Sequence, residues 1–478
     1  MCGSELTGSL ATCEALPVTS VLLSCAAVFL ALLWFLHLER SGQKLATVGT
    51  ILVVLVIDAA LYPGFKVPAG LFHPQLGSTS FRPYEVLIVI ALIARLATSG
   101  IPHRMATPAL LWVAFFGWWL VQAFVGLYVG HPAGVVTFEA KVVVYLGAMA
   151  LAAGIPVEDL VRSRTMNRII TFAAVVAFTL IVLDGTGYRR AWSLPGVPLE
   201  EFGRMGSDFA SVSLALGVLA LGLSLAGTQG RTGLLIASSV LILPTFVPSQ
   251  RAVLISFVAL LVLGPMAVLS RPAWRRLRVT SAELAIIAMA IVAVMCVPWI
   301  VRASQGAAPS VFVTDRVTTA FVSPGKLQSA QDRVLQYQAA WPLIKDQPVF
   351  GWGLGKTLTH FQPGPNIYVS NNLTHNILAD LLLRAGVVGL GLFCAAAGLS
   401  LRAGFRTWRN HPSDEVAYLA LACAVVIVGL LGKGTVESIF EKFRLAVLLG
   451  LFLGMLRTLA AAPNRAATVA QRDRLVMR

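Results

Sequence analysis

The sequence predicts an all-α fold: a polytopic helical membrane protein with about 12–13 transmembrane helices and one large extracytoplasmic loop. Three observations lead there. Of the 478 residues, 57% are hydrophobic and only 12% charged, and the mean hydropathy is +0.79, a balance foreign to soluble globular chains. Apolar stretches of about 15–24 residues recur along the chain, many long enough to cross a hydrocarbon core. One interval, 302–376, is too polar to lie in lipid and parts the last spans from the rest.

Taken in order, spans are expected near 17–36, 44–62, 83–98, 108–127, 137–153, 167–184, 208–226, 232–247, 252–268, 281–300, 376–398, 415–432 and 440–458. The chain therefore divides into a transmembrane bundle of ten predicted spans at 1–300, an extracytoplasmic loop with an amphipathic helix at 301–374, transmembrane helices at 375–460, and a cytoplasmic tail at 461–478. No internal repeat and no low-complexity segment interrupts it.

Sidedness follows from Lys and Arg. One side collects Arg40, Lys44, Arg95, Arg104, Arg162, Arg164 and Arg168, then Arg231, the run from Arg271 to Arg278, and Arg402, Arg406 and Arg409. That side is read as cytoplasmic. The opposite side holds the acidic amino terminus, the turn near Gly130, the 185–207 loop, Arg251 and the long loop. The formal charge of +15 is thus an orientation signal and not a nucleic-acid footprint. The six cysteines show no metal-ligand spacing. Cys2 and Cys13 pair only if the amino terminus faces an oxidising compartment. No basic flank precedes the first apolar run, so a cleaved signal peptide is not expected.

The outward residues repay inspection. Arg251 stands where two spans meet, either lining a cavity in the bundle or snorkelling from a helix end. Arg204 flanks another span. Within the long loop, Val334, Tyr337, Trp341 and Ile344 recur three or four apart, predicting an amphipathic helix over 328–346. Gly351, Gly353 and Gly355 then alternate, a pattern that fits a phosphate-cradling run of N–H groups or a simple chain reversal. Thr374, His375 and Asn376 stand at the mouth of the next span. Thr374 as an N-cap and His375 as an interface residue is one reading, and a reactive histidine is the other.

The residues from His375 onward resemble the signature of the O-antigen ligase and O-antigen polymerase superfamily of membrane glycosyltransferases. His375-Asn376, nine residues, Gly386, two residues and Gly389 fit it throughout. Asp332-Arg333, the helix after it, the Pro348-x-x-Gly351-x-Gly353 turn and Ser249-x-Arg251 are also similar to that family. The resemblance spans roughly residues 200–460. Family members usually have twelve spans with both termini cytoplasmic, whereas the count here is thirteen with the amino terminus outside.

The resemblance implies transfer of a glycan from a polyprenyl pyrophosphate lipid to an acceptor hydroxyl outside a bacterial cytoplasmic (inner) membrane. In that reading His375 is the catalytic residue, acting as general base on the acceptor or orienting it. Arg251, Arg333 and Arg204 bind the departing pyrophosphate, since guanidinium groups stay charged and can grip phosphate oxygens in pairs. Asn376, Gly351 and Gly353 support the site. No cofactor and no metal are expected, and no outward acidic cluster exists in the sequence to hold one. The expected partners are the lipid-linked donor, a glycan, glycolipid or protein acceptor, and membrane lipids, with no nucleic acid. Asp380 and Arg384, four apart in one span, form a helical ion pair or serve substrate. Two rivals stay open: a polymerase of lipid-linked repeat units, and a transporter or flippase of lipid-linked glycans. The single large outward loop and the lack of two matching halves count against the latter.

Overall fold

The computed structural model describes residues 18–61, 75–76, 79–80, 82–99, 107–162, 164–185, 206–227, 230–245, 328–362, 367–371, 374–440 and 442–462. The chain is an all-α polytopic membrane protein. Helix occupies every predicted span except those at 252–268 and 281–300, which lie outside the described residues, as do Cys2, Cys13, Arg204 and Arg251.

The amino-terminal helices are α1 (Val18–Arg40), α2 (Lys44–Leu61) and α3 (Pro83–Ser99), with a two-residue ladder, β1 (Gln75–Leu76) with β2 (Thr79–Ser80), between the last two. Next come α4 (Thr107–Val129), α5 (Ala133–Ala140), α6 (Val142–Ala152), the short α7 (Val157–Arg162) and α8 (Arg164–Gly185). Helices α9 (Gly206–Leu225) and α10 (Arg231–Ile242) follow, the latter ending in a 3₁₀ turn at Leu243–Thr245. The predicted amphipathic helix is α11 (Gln328–Asp346), succeeded by the hairpin β3 (Leu358–Gln362) and β4 (Ile367–Asn371). The chain closes with α12 (Ile377–Asn410), α13 (Asp414–Gly434) and α14 (Phe443–Ala460). Among the described residues seven helical segments are long and apolar enough to cross a membrane, including the last three helices and α5–α6 taken together.

Tight helix crossings rely on small residues, because lipid offers no hydrophobic force between helices and close backbone approach must supply the contact. Helix α14 lies on α6 with Gly450 against the Tyr145 carbonyl, where a Cβ would come within 2.8 Å, and Gly454 against that of Met149. The hydroxyl of Ser238 in α10 donates to the Gly217 carbonyl of α9 at 2.8 Å. Aromatic rings of α4 (Trp112, Phe115, Trp119) gather with Phe393 of α12 and Phe440 at centroid separations of 5.5–5.9 Å.

The helix predicted at 376–398 runs to Asn410, 34 residues, so Arg402, Arg406 and Arg409 ride on helix and not on a loop. Its first third is broken at Gly386, whose φ of 63° and ψ of −168° interrupt the helical path. The break admits the segment after α11: Val387 N donates to Pro348 O at 2.9 Å and Val388 N to Val349 O at 3.3 Å. Gly386 itself meets the Val349 carbonyl too closely for any side chain.

Helix α11 has the predicted bounds but another inner face. Gln336, Ala340 and Ile344 are buried, and Ala340 and Ile344 pack with Leu358 and Leu383, whereas Val334 and Trp341 of the predicted stripe are about half exposed. The small Ala340 lets β3 and α12 approach closely. Trp341 is too large for that interface and turns outward, with Lys345 Nζ 5.6 Å from its ring.

Candidate active site

His375 stands between the β3–β4 hairpin and the start of α12. Asn376, not Thr374, caps α12: its side-chain oxygen accepts from Leu378 N at 2.8 Å and Ala379 N at 3.3 Å. Thr374 does something else. Its N–H donates to Asp380 Oδ1 at 2.7 Å, and its hydroxyl reaches the same oxygen at 2.8 Å and Asn376 O at 3.0 Å. Between two such anchors the half-buried His375 has little backbone freedom left.

A second histidine joins it. His360 lies on β3 opposite Val369 and is only 4% exposed, because the alternation of the strand turns Leu358 and His360 inward and Thr359 outward. Gln336 Nε2 of α11 stands 3.4 Å from His360 Nε2. Burial holds the His360 pKa below the ordinary imidazole value; Asp332 pulls it back up, and the neighbouring His375 adds a smaller lowering. His360 therefore stays neutral near pH 7. Arg333 is set between Asp332 and Gln336 on that same turn of α11 and is partly exposed. The structure thus assembles Asp332, Gln336, His360 and His375 from three elements, with Arg333 on the adjoining turn. The sequence expectations for Arg251 and Arg204 fall outside the described residues.

The glycine run is a docking device. Gly351, Gly353 and Gly355 all have left-handed φ, between 75° and 84°. Their N–H groups are spent on the protein: Gly351 on Gln347 O at 3.1 Å, Gly353 on Arg384 O at 3.1 Å and Gly355 on Glu139 Oε2 at 2.8 Å. All three N–H groups are thus taken up inside the protein, two by backbone carbonyls and one by the Glu139 carboxylate. A Cβ at Gly351 would meet the Arg384 carbonyl at 2.5 Å and one at Gly353 the Gly126 nitrogen at 2.7 Å. Next to them Leu354 N donates to Gln122 O at 2.9 Å, and the Leu354 carbonyl stands 2.8 Å from His131 Nδ1.

Asp380 and Arg384 do form the helical ion pair, Nη1 to Oδ1 at 2.9 Å, but as part of a triad the sequence reading missed. Arg384 also grips Glu139 of α5 with two parallel bonds, Nε to Oε2 at 2.7 Å and Nη2 to Oε1 at 3.0 Å. A signal was available, since Glu139 and Lys141 are charges inside a predicted span, where they are costly. Lys141 faces the other way, donating to Glu85 at 3.0 Å beside Tyr145, whose hydroxyl donates to Glu85 at 2.8 Å. A further cluster joins Arg444 to Asp58 at 2.6 Å and Asp208 at 2.8 Å. Lys433 reaches Ser211 at 2.8 Å and Glu437 at 3.4 Å. Among the described residues, no group of three His, Cys, Asp or Glu side chains is arranged to hold a metal ion.

Comparison with known proteins agrees with the resemblance in the sequence. A family model described as O-antigen ligase matches residues 215–394, the stretch from α9 to the middle of α12. No curated protein matches the chain. Glu139 and Arg204 lie outside the matched residues, and Arg333, His360 and His375 lie inside them. Residues 215–394, which hold the glycine turn, the hairpin and the His375-Asn376 pair, carry the match to the O-antigen ligase family and support its superfamily for this chain.

Proposed function

We propose that this protein moves a glycan from a polyprenyl pyrophosphate lipid to an acceptor hydroxyl on the outer side of a bacterial cytoplasmic membrane, in the manner of an O-antigen ligase. The family implies a membrane glycosyltransferase of the ligase or polymerase-like kind. The observation that carries the finer reading is the placement of His375 at the mouth of α12, beside the neutral, buried His360 and within the matched segment. The acceptor oxygen attacks the anomeric carbon while the bond from that carbon to the pyrophosphate breaks. The hydroxyl proton passes to His375, and polyprenyl pyrophosphate leaves with the electron pair. Histidine is the side chain most often used for such a proton transfer at neutral pH.

The leaving group carries at least two negative charges, and fixed guanidinium groups stabilise it as it departs. Arg333 is favoured for this by its position one turn from Gln336, whose amide contacts His360. Arg251 and Arg204 complete the proposed clamp. The pyrophosphate itself activates the sugar, so the step needs neither a cofactor nor a metal. The partners are the lipid-linked donor and a glycan, glycolipid or protein acceptor.

Two measurements test this. In a strain lacking the protein, full-length polyprenyl-linked chains should accumulate; accumulation of single repeat units would assign a polymerase instead, and no lipid-linked intermediate at all would overturn glycosyl transfer. With purified protein and a labelled lipid-linked glycan, His375→Ala should lose about 10²- to 10⁴-fold in turnover while its melting temperature stays close to that of the wild type. Wild-type turnover in that variant would remove His375 from the chemistry.

A further inference from the structure

We infer that the buried triad Glu139–Arg384–Asp380 is a positioning device for His375, fixing both ends of the segment that leaves the bundle at Gly355 and re-enters it at Thr374. The inference rests on the catalytic reading of His375 given above. Arg384 is the hub, with three of its bonds shared between the two carboxylates. Each carboxylate then holds one end of the excursion. Glu139 Oε2 accepts the N–H of Gly355 at 2.8 Å, five residues before His360. Asp380 Oδ1 accepts the N–H of Thr374 at 2.7 Å, one residue before His375. The hairpin and both histidines are therefore strung between two points on one rigid ionic group.

The burial makes the tether stiff. Arg384, Asp380 and Glu139 are 1%, 1% and 3% exposed and Thr374 is fully buried. Aromatic rings of Trp119, Phe138 and Phe440 wall the triad. Its composition also argues for a task beyond packing. One guanidinium faces two carboxylates, an excess of buried negative charge that an apolar side chain at 380 would avoid. What Asp380 gains for that cost is the Thr374 backbone. Its second oxygen is buried and has no partner among the described residues, so the bonds it does make are all on Oδ1 and all restrain the approach to His375. A reacting group misplaced by about 1 Å can lose on the order of 10²-fold in rate, the scale on which such a restraint matters.

The test uses the full chain in detergent or nanodiscs with a labelled lipid-linked glycan. Turnover is read together with the rate at which diethyl pyrocarbonate modifies His375, resolved by mass spectrometry against the exposed His37. Asp380→Asn should lower kcat about 10- to 10²-fold, with KM for the lipid donor changed far less, and should shift His375 modification severalfold. Thr374→Val, which deletes only the hydroxyl, should move both in the same direction, and Thr374→Ser should recover most of that loss. Arg384→Lys should resemble Asp380→Asn; if it fails to fold, the Thr374 pair decides. Wild-type kcat per folded molecule in Asp380→Asn and Thr374→Val overturns the inference, with or without a change in modification. Full turnover in His375→Ala sinks the catalytic reading itself, and that failure is told apart because it needs no triad variant.

Discussion

His360 is a buried base whose surroundings keep it uncharged. Burial lowers its pKa, Asp332 opposes that, His375 adds a smaller lowering, and Gln336 contributes only a neutral amide. Because the folded pKa lies below the unfolded value of 6.5, the unfolded chain binds more protons in the window beneath 6.5. Stability from this site is thus complete above pH 6.5 and falls as the pH drops through the folded pKa. The melting temperature should decline on acidification from pH 7 to pH 5, and His360→Gln should flatten that decline; an unchanged slope would mean the titration lies elsewhere. His375 was legible from its spacing to Gly386 and its place at a span mouth. Nothing in the sequence singled out His360, since its partnership depends on a hairpin that pairs it with Val369 and on a helix from earlier in the chain. Glu139 was missed for a similar reason: its partner is 245 positions away, although a carboxylate in an apolar span already asks for one.

At the level of elements, the glycine turn and α11 show where sequence periodicity stops being informative. The bounds of α11 were readable, but the choice of inner face was made by what packs on it. Ala340 permits close contact that Trp341 does not, so the largest apolar residue is not the buried one. The hairpin had readable signs, an apolar alternation and the Pro363-Gly364-Pro365-Asn366 turn chemistry between its strands. For the glycines, spacing announced positive φ without saying what required it. Gly353, at φ 82° and pressed on the backbone of Gly126, carries both constraints. Gly353→Ala should destabilise the protein by about 1–3 kcal/mol through backbone strain and clash. Gly391, in the body of α12 with nothing within 4 Å of a built Cβ, offers the contrast. Gly391→Ala should stabilise by roughly 0.5–1 kcal/mol as helix entropy is recovered. Equal thermal shifts in the two variants would mean the turn is not held as described.

Across the described residues, buried ion pairs lie at both ends of the bundle: Arg95 of α3 with Glu39 of α1 at one, and several linked pairs at the other. Asp58 near the end of α2, Asp208 at the start of α9 and Arg444 at the start of α14 are bonded together. Lys433 at the end of α13 and the Glu139 triad at the start of α12 belong to neighbouring helix termini; Glu139 near the end of α5 meets Arg384, and Lys141, just past that helix, meets Glu85. His375 stands at that end. Toward the opposite end, where α12 finishes, Arg402, Arg406 and Arg409 are exposed. The Lys and Arg count in the sequence assigns these three exposed arginines to the cytoplasmic side. A 34-residue helix is about 51 Å long at 1.5 Å per residue, enough to carry the chain from one face to the other despite the break at Gly386. We therefore expect 301–374 to be extracytoplasmic and the end of α12 to be cytoplasmic. Single cysteines at Ser323 and Asn410, in a chain with all six native cysteines replaced by serine, test this with a membrane-impermeant maleimide. Ser323→Cys should react in intact cells, and Asn410→Cys only after lysis. The reverse pattern would overturn the orientation, and equal labelling of both would deny that α12 crosses the membrane.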